Sequence, residues 1–213
     1  MAAQTPPTDL RLRRRLAHVS IATPLPLMAL LLPHGVVMAV AGSATAMLAI
    51  AEVTRLSSGP VNRWIFRRFG WLLKPQEERR VTSGSYLVAA SLVTLALFQT
   101  PVAVLAILYL AVGDPAASIV GTRFARLRLP VPVPWAPRER QAKSVEGTLA
   151  FLAAALAVAA LLQGVGVYSV YWPAALGALA AGLVEFLPLP APVDDNVSVP
   201  LAGAAVMTLV WVG

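Results

Sequence analysis

The sequence contains no cysteine and only two histidines among its 213 residues. The lack of cysteine excludes disulfides, thiolate metal sites and cysteine nucleophiles, and two histidines exclude a histidine-rich metal centre. Charged side chains are also scarce, at 13% of the residues, whereas a soluble domain has about 25%. Because 58% of the residues are hydrophobic, the composition predicts an all-α polytopic membrane protein.

Three sequence patterns are also missing. The chain has no GxxxxGK[ST] motif, which excludes a P-loop nucleotide site. No basic and apolar segment ends in a small-residue cleavage site, so we expect no cleaved signal peptide. No nucleic-acid-binding motif accompanies the net charge of +7, so we expect no nucleic-acid partner.

Seven hydrophobic segments divide the chain, and each approaches the roughly 20 helical residues that cross a bilayer core. We predict about seven transmembrane helices in one bundle, at residues 17–32, 35–54, 81–99, 101–121, 147–167, 171–187 and 197–212. Residues 1–16 are then a basic cytoplasmic N-terminal segment, and residues 17–213 are a single transmembrane catalytic domain.

The basic residues have an uneven distribution. All 17 lysines and arginines lie within residues 11–15, 55–80 and 123–143. Seven spans put these three stretches on one side of the membrane, and the positive-inside rule makes that side cytoplasmic. The C-terminus then lies on the opposite side. We also expect this basic face to attract anionic lipids.

Asp114 interrupts an otherwise apolar stretch at residues 102–121. A carboxylate at the centre of a membrane helix costs about 2.5–3.5 kcal/mol on insertion scales. A residue that destabilises insertion in this way indicates a function, such as holding a cation, a proton or a phosphate-bound metal.

Six of the ten acidic residues lie within a hydrophobic segment or within one turn of its cytoplasmic end. They are Glu52, Asp114, Glu146, Glu185, Asp194 and Asp195. The predicted topology collects all six near one membrane face. A structural alternative exists at the last helix, where Asp195 or Asn196 can act as the N-terminal cap.

Structural alternatives also exist at two of the glutamates. Glu52 precedes Arg55 by three residues, a spacing that allows an ion pair on one helix face. Glu146 can stabilise the start of a helix through the helix dipole, with Ser144 as the capping residue.

A cationic helix start follows the third basic stretch, with the sequence KSVEGT at residues 143–148. Lysine, a hydroxyl and free N–H groups at a helix N-terminus form an anion site. Carboxylates nearby hold Mg²⁺ through hard oxygen ligands. The combination is what magnesium–triphosphate chemistry requires, and it makes Mg²⁺ the expected cofactor.

Several strings together resemble one family. They are RRRLAH at 13–18, EVTR at 52–55, TSGSYL at 82–87, GDPAASIVG at 113–121, KSVEGTLAF at 143–151 and DDNVSVPL at 194–201. In this order and spacing the chain resembles the membrane-embedded CTP-dependent lipid-alcohol kinases: dolichol kinase, phytol kinase and the yeast-type diacylglycerol kinase. That group is distantly similar to phosphatidate cytidylyltransferases.

The resemblance implies transfer of the γ-phosphate of CTP to the hydroxyl of a membrane lipid. We assign catalysis to Asp114, Asp195 and Lys143, and Mg²⁺ binding to Asp114, Asp195, Asp194 and Glu185. We assign nucleotide binding to Lys143, Ser144, Glu146, Gly147, Arg128 and Asn196. Further candidates are His18, Glu52, Arg55, Gly84, Ser118 and Gly121. We expect a carboxylate to be the general base and His18 to contact phosphate or position a substrate.

Two other functions compete with a lipid-alcohol kinase. A CDP-lipid synthase shares the metal chemistry but attacks the α-phosphate, and an ion-coupled transporter could use the buried carboxylates as an ion path. Transporters often contain inverted repeats, and this sequence has no convincing internal repeat. The acceptor could be phytol, a farnesyl-type alcohol, dolichol, undecaprenol or diacylglycerol, and a homo-oligomer is compatible with the sequence.

Overall fold

The computed structural model describes residues 8–130, 142–167, 171–187 and 193–211. Its helices are α1 (Thr8–Ala22), α2 (Pro24–Leu31), α3 (His34–Ser57), α4 (Gly59–Phe69), α5 (Ser83–Leu97), α6 (Thr100–Arg123), α7 (Val145–Gly164), α8 (Tyr171–Phe186) and α9 (Asp195–Val210). A 3₁₀ turn covers Pro75–Arg79, and two short strands are β1 (Arg128–Pro130) and β2 (Ala142–Ser144). The predicted all-α class is confirmed.

The seven hydrophobic segments differ in helix length. Within the described ranges, three helices are long and apolar enough to cross a membrane by length and composition: α3, α6 and α7. The apolar helices α5, α8 and α9 have 15, 16 and 16 residues. The seven-span topology therefore stays a prediction.

The first hydrophobic segment is two helices rather than one. Helix α1 ends at Ala22, and α2 begins at Pro24. Proline lacks a backbone N–H and suits the first position of a helix, so it ends one helix and begins the next. Helix α1 is continuous through residues 16 and 17, where we had placed a domain boundary.

Helix α6 is the centre of the bundle. Its residues 102–111 are all buried, and it packs against α1, α2, α5, α7, α8 and α9. The Tyr109 hydroxyl donates a 2.8 Å hydrogen bond to the carbonyl of Ala174 in α8. Phe151 of α7 packs at Gly113, where an added Cβ would lie 2.6 Å from the ring. This close packing surrounds the helix that carries Asp114.

The strands β1 and β2 form an antiparallel ribbon beside the start of α7. Arg128 is opposite Ser144, and Leu129 is opposite Lys143. The Glu146 carboxylate accepts hydrogen bonds from the N–H groups of Arg126 and Leu127, at 2.9 and 3.0 Å. The ribbon therefore fixes the backbone at Lys143 before the chain enters α7.

Candidate functional site

A cavity of about 900 Å³ lies at the end of the bundle where α5, α7 and α9 begin and α6 and α8 end, and the second half of α1 also lines it. Such a volume is within the range of about 300–1,000 Å³ that is typical of small-molecule sites. Eight of the 16 predicted site residues line it: His18, Gly84, Asp114, Ser118, Lys143, Asp194, Asp195 and Asn196. The structure thus collects residues separated by up to 178 positions in the sequence.

Asp114 lies on the cavity wall in the central helix α6. It is half-buried, and among the described residues no side chain or backbone group donates a hydrogen bond to its carboxylate. Pro115 follows it inside the helix and removes one helical N–H donor at this point. A half-buried carboxylate that is not satisfied by its neighbours is available for a ligand.

Lys143 forms ion pairs with two carboxylates, and we call this group of side chains at the cavity the charged wall. Its ammonium lies 3.1 Å from Glu185 Oε1 and 3.2 Å from Asp195 Oδ2, and it also donates to the backbone carbonyl of Glu185. Burial lowers the pKa of Lys143, but the charges of Asp195 and Glu185 outweigh that effect and raise the pKa above the ordinary value of lysine. Lys143 therefore stays charged at physiological pH and loses its charge only when the pH rises through this raised pKa.

The start of α9 differs from the expectation in one detail. Asp194, rather than Asp195 or Asn196, is the N-terminal cap: its Oδ1 accepts the N–H of Asn196 at 2.9 Å. The cap must have a non-helical backbone, and Asp194 is the residue just before the first helical one. Asn196 also donates to the Ser83 carbonyl at 3.4 Å. Because Asp194 is the cap, the Asp195 carboxylate can face Lys143.

Arg15, at the middle of α1, contributes to the cavity, although we had not predicted it as a site residue. Arg15 donates two 2.9 Å hydrogen bonds to Ser118, one to its carbonyl and one to its hydroxyl, and a 3.3 Å bond to the Thr122 hydroxyl. His18, one turn further along α1, has a buried Nε2 with no hydrogen-bond partner among the described residues. Nothing in the sequence distinguished Arg15 from the neighbouring arginines.

Glu52 and Arg55 form a buried ion pair outside the cavity lining, with exposures of 8% and 3%. Glu52 also accepts bonds from the Thr82 N–H and hydroxyl, at 3.0 and 2.7 Å, and from the Ser85 hydroxyl at 2.9 Å. The structural alternative is therefore the one that the contacts favour. This pair fixes the start of α5, whose residues Thr82 to Ser85 do line the cavity.

Glu77 also holds the start of α5 in place, which was not expected from the sequence. Glu77 is buried, and its carboxylate accepts hydrogen bonds from the Lys74 N–H at 2.7 Å and from the Ser83 N–H and hydroxyl at 2.8 and 2.6 Å. Its position in a polar, charged segment of the sequence concealed its burial.

The remaining nucleotide candidates do not line the cavity. Ser144 caps α7, as the structural alternative predicted, by accepting the Gly147 N–H at 3.1 Å. Glu146 is bound to the backbone before β1, and the exposed Arg128 lies in β1. Gly121 and Gly147 lie where α6 crosses the start of α7, and an added Cβ on either would come 2.8 Å from Ser144 Oγ.

We expect Gly147→Ala to lower the free energy of unfolding by about 1–3 kcal/mol, the typical effect of overpacking. The new methyl would lie 3.0 Å from the Ala117 carbonyl oxygen, a backbone atom that cannot move aside without shifting α6. The measurement is the unfolding midpoint of the purified protein in detergent.

Gly42→Ala is the matched control for Gly147→Ala, because a Cβ at Gly42 would meet no atom within 4 Å. Alanine is the better helix former by up to about 1 kcal/mol, so this variant should be as stable as the original protein or more so. Equal stability of the Gly147 and Gly42 variants would contradict the packing role of Gly147.

The carboxylates of the cavity fit Mg²⁺ in part. No group of three histidine, aspartate or glutamate side chains in the described part of the chain is placed to hold a metal. However, Mg²⁺ usually takes one or two carboxylates and completes its shell with water and phosphate. Asp114 and Asp195 meet that requirement. Glu185 fits less well because both its oxygens already contact Lys143 or Thr148 and it does not line the cavity. Asp194 and Asp195 each have one oxygen in use, Oδ1 of Asp194 at the helix cap and Oδ2 of Asp195 at Lys143.

Sequence comparison finds relatives with one shared description. Over 61% of its length the chain is 34% identical to a protein of Oryza sativa subsp. japonica named probable phytol kinase 1, chloroplastic. It is also 32% identical over 59% of its length to a protein of Triticum aestivum, and 31% identical over 65% to one of Zea mays, both named probable phytol kinase, chloroplastic.

The chain spans less than half the length of these curated relatives, since the matches cover 41%, 43% and 46% of them. No protein-family model matches the chain, and no solved structure matches it significantly.

Proposed function

We propose that this protein is a membrane-embedded lipid-alcohol kinase that transfers the γ-phosphate of CTP to an isoprenoid alcohol. The observation that carries the proposal is the cavity. In it the Asp114 carboxylate, which accepts no hydrogen bond from a described residue, lies near the charged wall of Lys143 and Asp195. The relatives named phytol kinase support a kinase that acts on an isoprenoid alcohol. The choice of CTP rests on the motif resemblance.

Two groups of cavity side chains would contribute to the transfer: cations that bind the phosphates and a carboxylate that accepts the proton. Lys143 and Arg15 would bind the phosphates, since lysine supplies a point charge and arginine a planar set of donors. The alcohol oxygen would form a bond to the γ-phosphorus while the bond to the β-phosphate oxygen breaks and CDP leaves. The hydroxyl proton would pass to a carboxylate of the cavity. A loose transition state needs little early deprotonation, so positioning matters more than base strength.

Asp114 and Asp195 are the residues that would hold Mg²⁺, whose charge would neutralise the triphosphate. Asp194 is held as a helix cap and would position Asp195 rather than bind the ion. Asn196 would contribute an amide to the nucleotide side of the cavity. His18 would contact phosphate or position the alcohol through its unpartnered Nε2.

The proposed location is an integral multi-pass position in a membrane. The N-terminus and the basic stretches would face the cytoplasm, where CTP is available, and would contact anionic lipids. The cavity lies at the same end of the bundle as Arg14, Arg15, Lys74 and Lys143. A water-soluble donor and a lipid acceptor could therefore meet there.

Labelled nucleotide tests the reaction class. Purified protein with Mg²⁺ and geranylgeraniol should move label from γ-labelled CTP into the lipid phase, whereas label from α-labelled CTP should stay in water. A parallel reaction with phosphatidate tests the alternative: transfer of α-label to that lipid phosphate, with pyrophosphate as the leaving group, would instead identify a cytidylyltransferase. Failure to transfer either label to any alcohol or diacylglycerol would contradict the kinase and favour the transporter.

A further inference from the structure

The cavity has an apolar portion that the proposed phosphoryl transfer does not use. Its lining includes side chains from α1, α3, α4, α5 and the segment after α4: Ile21, Leu48, Ile65, Phe69, Leu72, Leu73 and Leu87. The charged phosphates of a nucleotide would not bury against such a surface. This portion therefore suits a hydrocarbon ligand.

Helix α4 forms part of this apolar wall although none of its 11 residues is buried. Ile65 and Phe69 are four residues apart and so lie on one helix face, and both line the cavity. Basic residues surround them in the sequence, at Arg63, Arg67 and Arg68. A helix with apolar, aromatic and basic positions of this kind is typical of a membrane–water interface.

Hydrogen bonds anchor α4 at both ends. Near its start, Asn62 accepts a bond from Arg55 at 3.1 Å and donates one to the Glu78 carbonyl at 2.8 Å. Beyond its end, Arg14 donates to the carbonyls of Trp71 and Leu73, at 3.1 and 2.6 Å. These contacts hold Ile65 and Phe69 at the cavity rather than leaving the helix as a loose appendage.

Apolar residues that line the cavity are exposed at α1 and α4, and also at Leu187 and Val193 beside α8 and α9. Ile21 and Phe69 both line it, yet 37% and 41% of their surfaces are exposed. Apolar side chains that line a cavity and are also exposed mark its opening. An opening with apolar edges would admit a chain from a hydrocarbon phase more readily than a charged nucleotide.

Along α1 the cavity lining changes from polar to apolar. Arg14, His18 and Ile21 lie on one face at spacings of four and three residues. His18 is close enough to Asp114 for their charges to interact. A hydroxyl held beside Asp114 would therefore have its hydrocarbon tail one turn away, at Ile21.

We propose that the apolar wall of Ile21, Leu48, Ile65 and Phe69 binds the tail of the isoprenoid acceptor and determines which chain lengths react. The inference rests on the proposed function, because it assigns the tail of that reaction's acceptor. It makes Ile65 and Phe69 specificity-determining residues. Neither takes part in the transfer step itself.

The first test compares acceptors of increasing length: geraniol, farnesol and geranylgeraniol. In the original protein kcat/KM should rise with chain length. Phe69→Ala should lower kcat/KM for geranylgeraniol on the order of tenfold, as expected for lost contacts in a hydrophobic pocket, and that for geraniol by less than about twofold. Ile65→Ala should change the chain-length profile, the dependence of kcat/KM on acceptor length, in the same direction. Phe69 is partly exposed, so its truncation should leave the fold intact.

Phe124→Ala is the matched control, since Phe124 is 63% exposed and does not line the cavity. It should leave the chain-length profile unchanged. If Phe69→Ala and Ile65→Ala also leave the profile unchanged, or lower kcat/KM equally for all three alcohols, the tail site is refuted while the kinase activity stands.

The second test measures binding without catalysis. A geranylgeraniol analogue with a diazirine in its tail should label residues 59–73 in the absence of CTP, and unmodified geranylgeraniol should compete. Competed labelling at this segment in a protein that phosphorylates no alcohol would refute the kinase and support the apolar site. Labelling confined to other segments would refute the tail site directly.

Discussion

Replacement of Asp114 by asparagine is expected to lower kcat by at least about 10²-fold, the size of effect seen when a key electrostatic group is removed. The substitution is nearly isosteric, so it keeps the volume beside Pro115 and Gly113. No described residue donates a hydrogen bond to the Asp114 carboxylate, so the fold loses no contact. Removal of a half-buried charge that lacks a partner should leave the stability equal or higher.

Two measurements check this result together: the rate of γ-phosphate transfer and the unfolding midpoint in detergent. Glu78→Gln is the matched control, because Glu78 is exposed and lies outside the cavity lining. It makes the same change of charge and should leave both quantities unchanged. A folded Asp114→Asn protein with near-normal kcat would remove Asp114 from the catalytic set.

Lys143→Met is expected to affect activity and stability at once. Activity should fall by about tenfold or more, as a higher KM for CTP if Lys143 binds ground and transition states equally, or as a lower kcat if it favours the transition state. Stability should fall because Glu185 and Asp195 are left facing each other without a cation. A fully buried pair would cost about 3–5 kcal/mol. Lys143 is 27% exposed, so we expect about 1–3 kcal/mol.

A double variant separates these two effects. Adding Glu185→Gln to Lys143→Met removes the surplus negative charge, so the unfolding midpoint should recover while phosphate transfer stays low. Lys143→Arg keeps the charge and should retain most of the stability. Recovery of both stability and CTP turnover in the double variant would mean that Lys143 only holds α8 and α9 together.

The sequence by itself determined that the apolar segments are helical and that residues near their ends meet at one end of the bundle. Apolar runs form helices whatever their neighbours are, since a helix satisfies its backbone hydrogen bonds within the segment. Ser144 indicates the start of α7 because a capping residue acts through local backbone chemistry. The break at Pro24 has the same kind of cause, although we had predicted one continuous span there. Residues at the ends of successive helices share one end of the bundle, which is why Asp114, Lys143 and Asp195 line one cavity.

Only the tertiary structure decided which side chains contact each other at the cavity end of the bundle. Lys143 binds Glu185 and Asp195, and Glu52 binds Arg55 and Thr82 instead of facing the cavity. The tertiary structure also placed α4 over the apolar part of the cavity. These outcomes depend on how each helix is rotated and how far it lies from its neighbours. Both are set by the packing of small and large side chains at positions such as Gly113 and Phe151, which no local sequence pattern specifies.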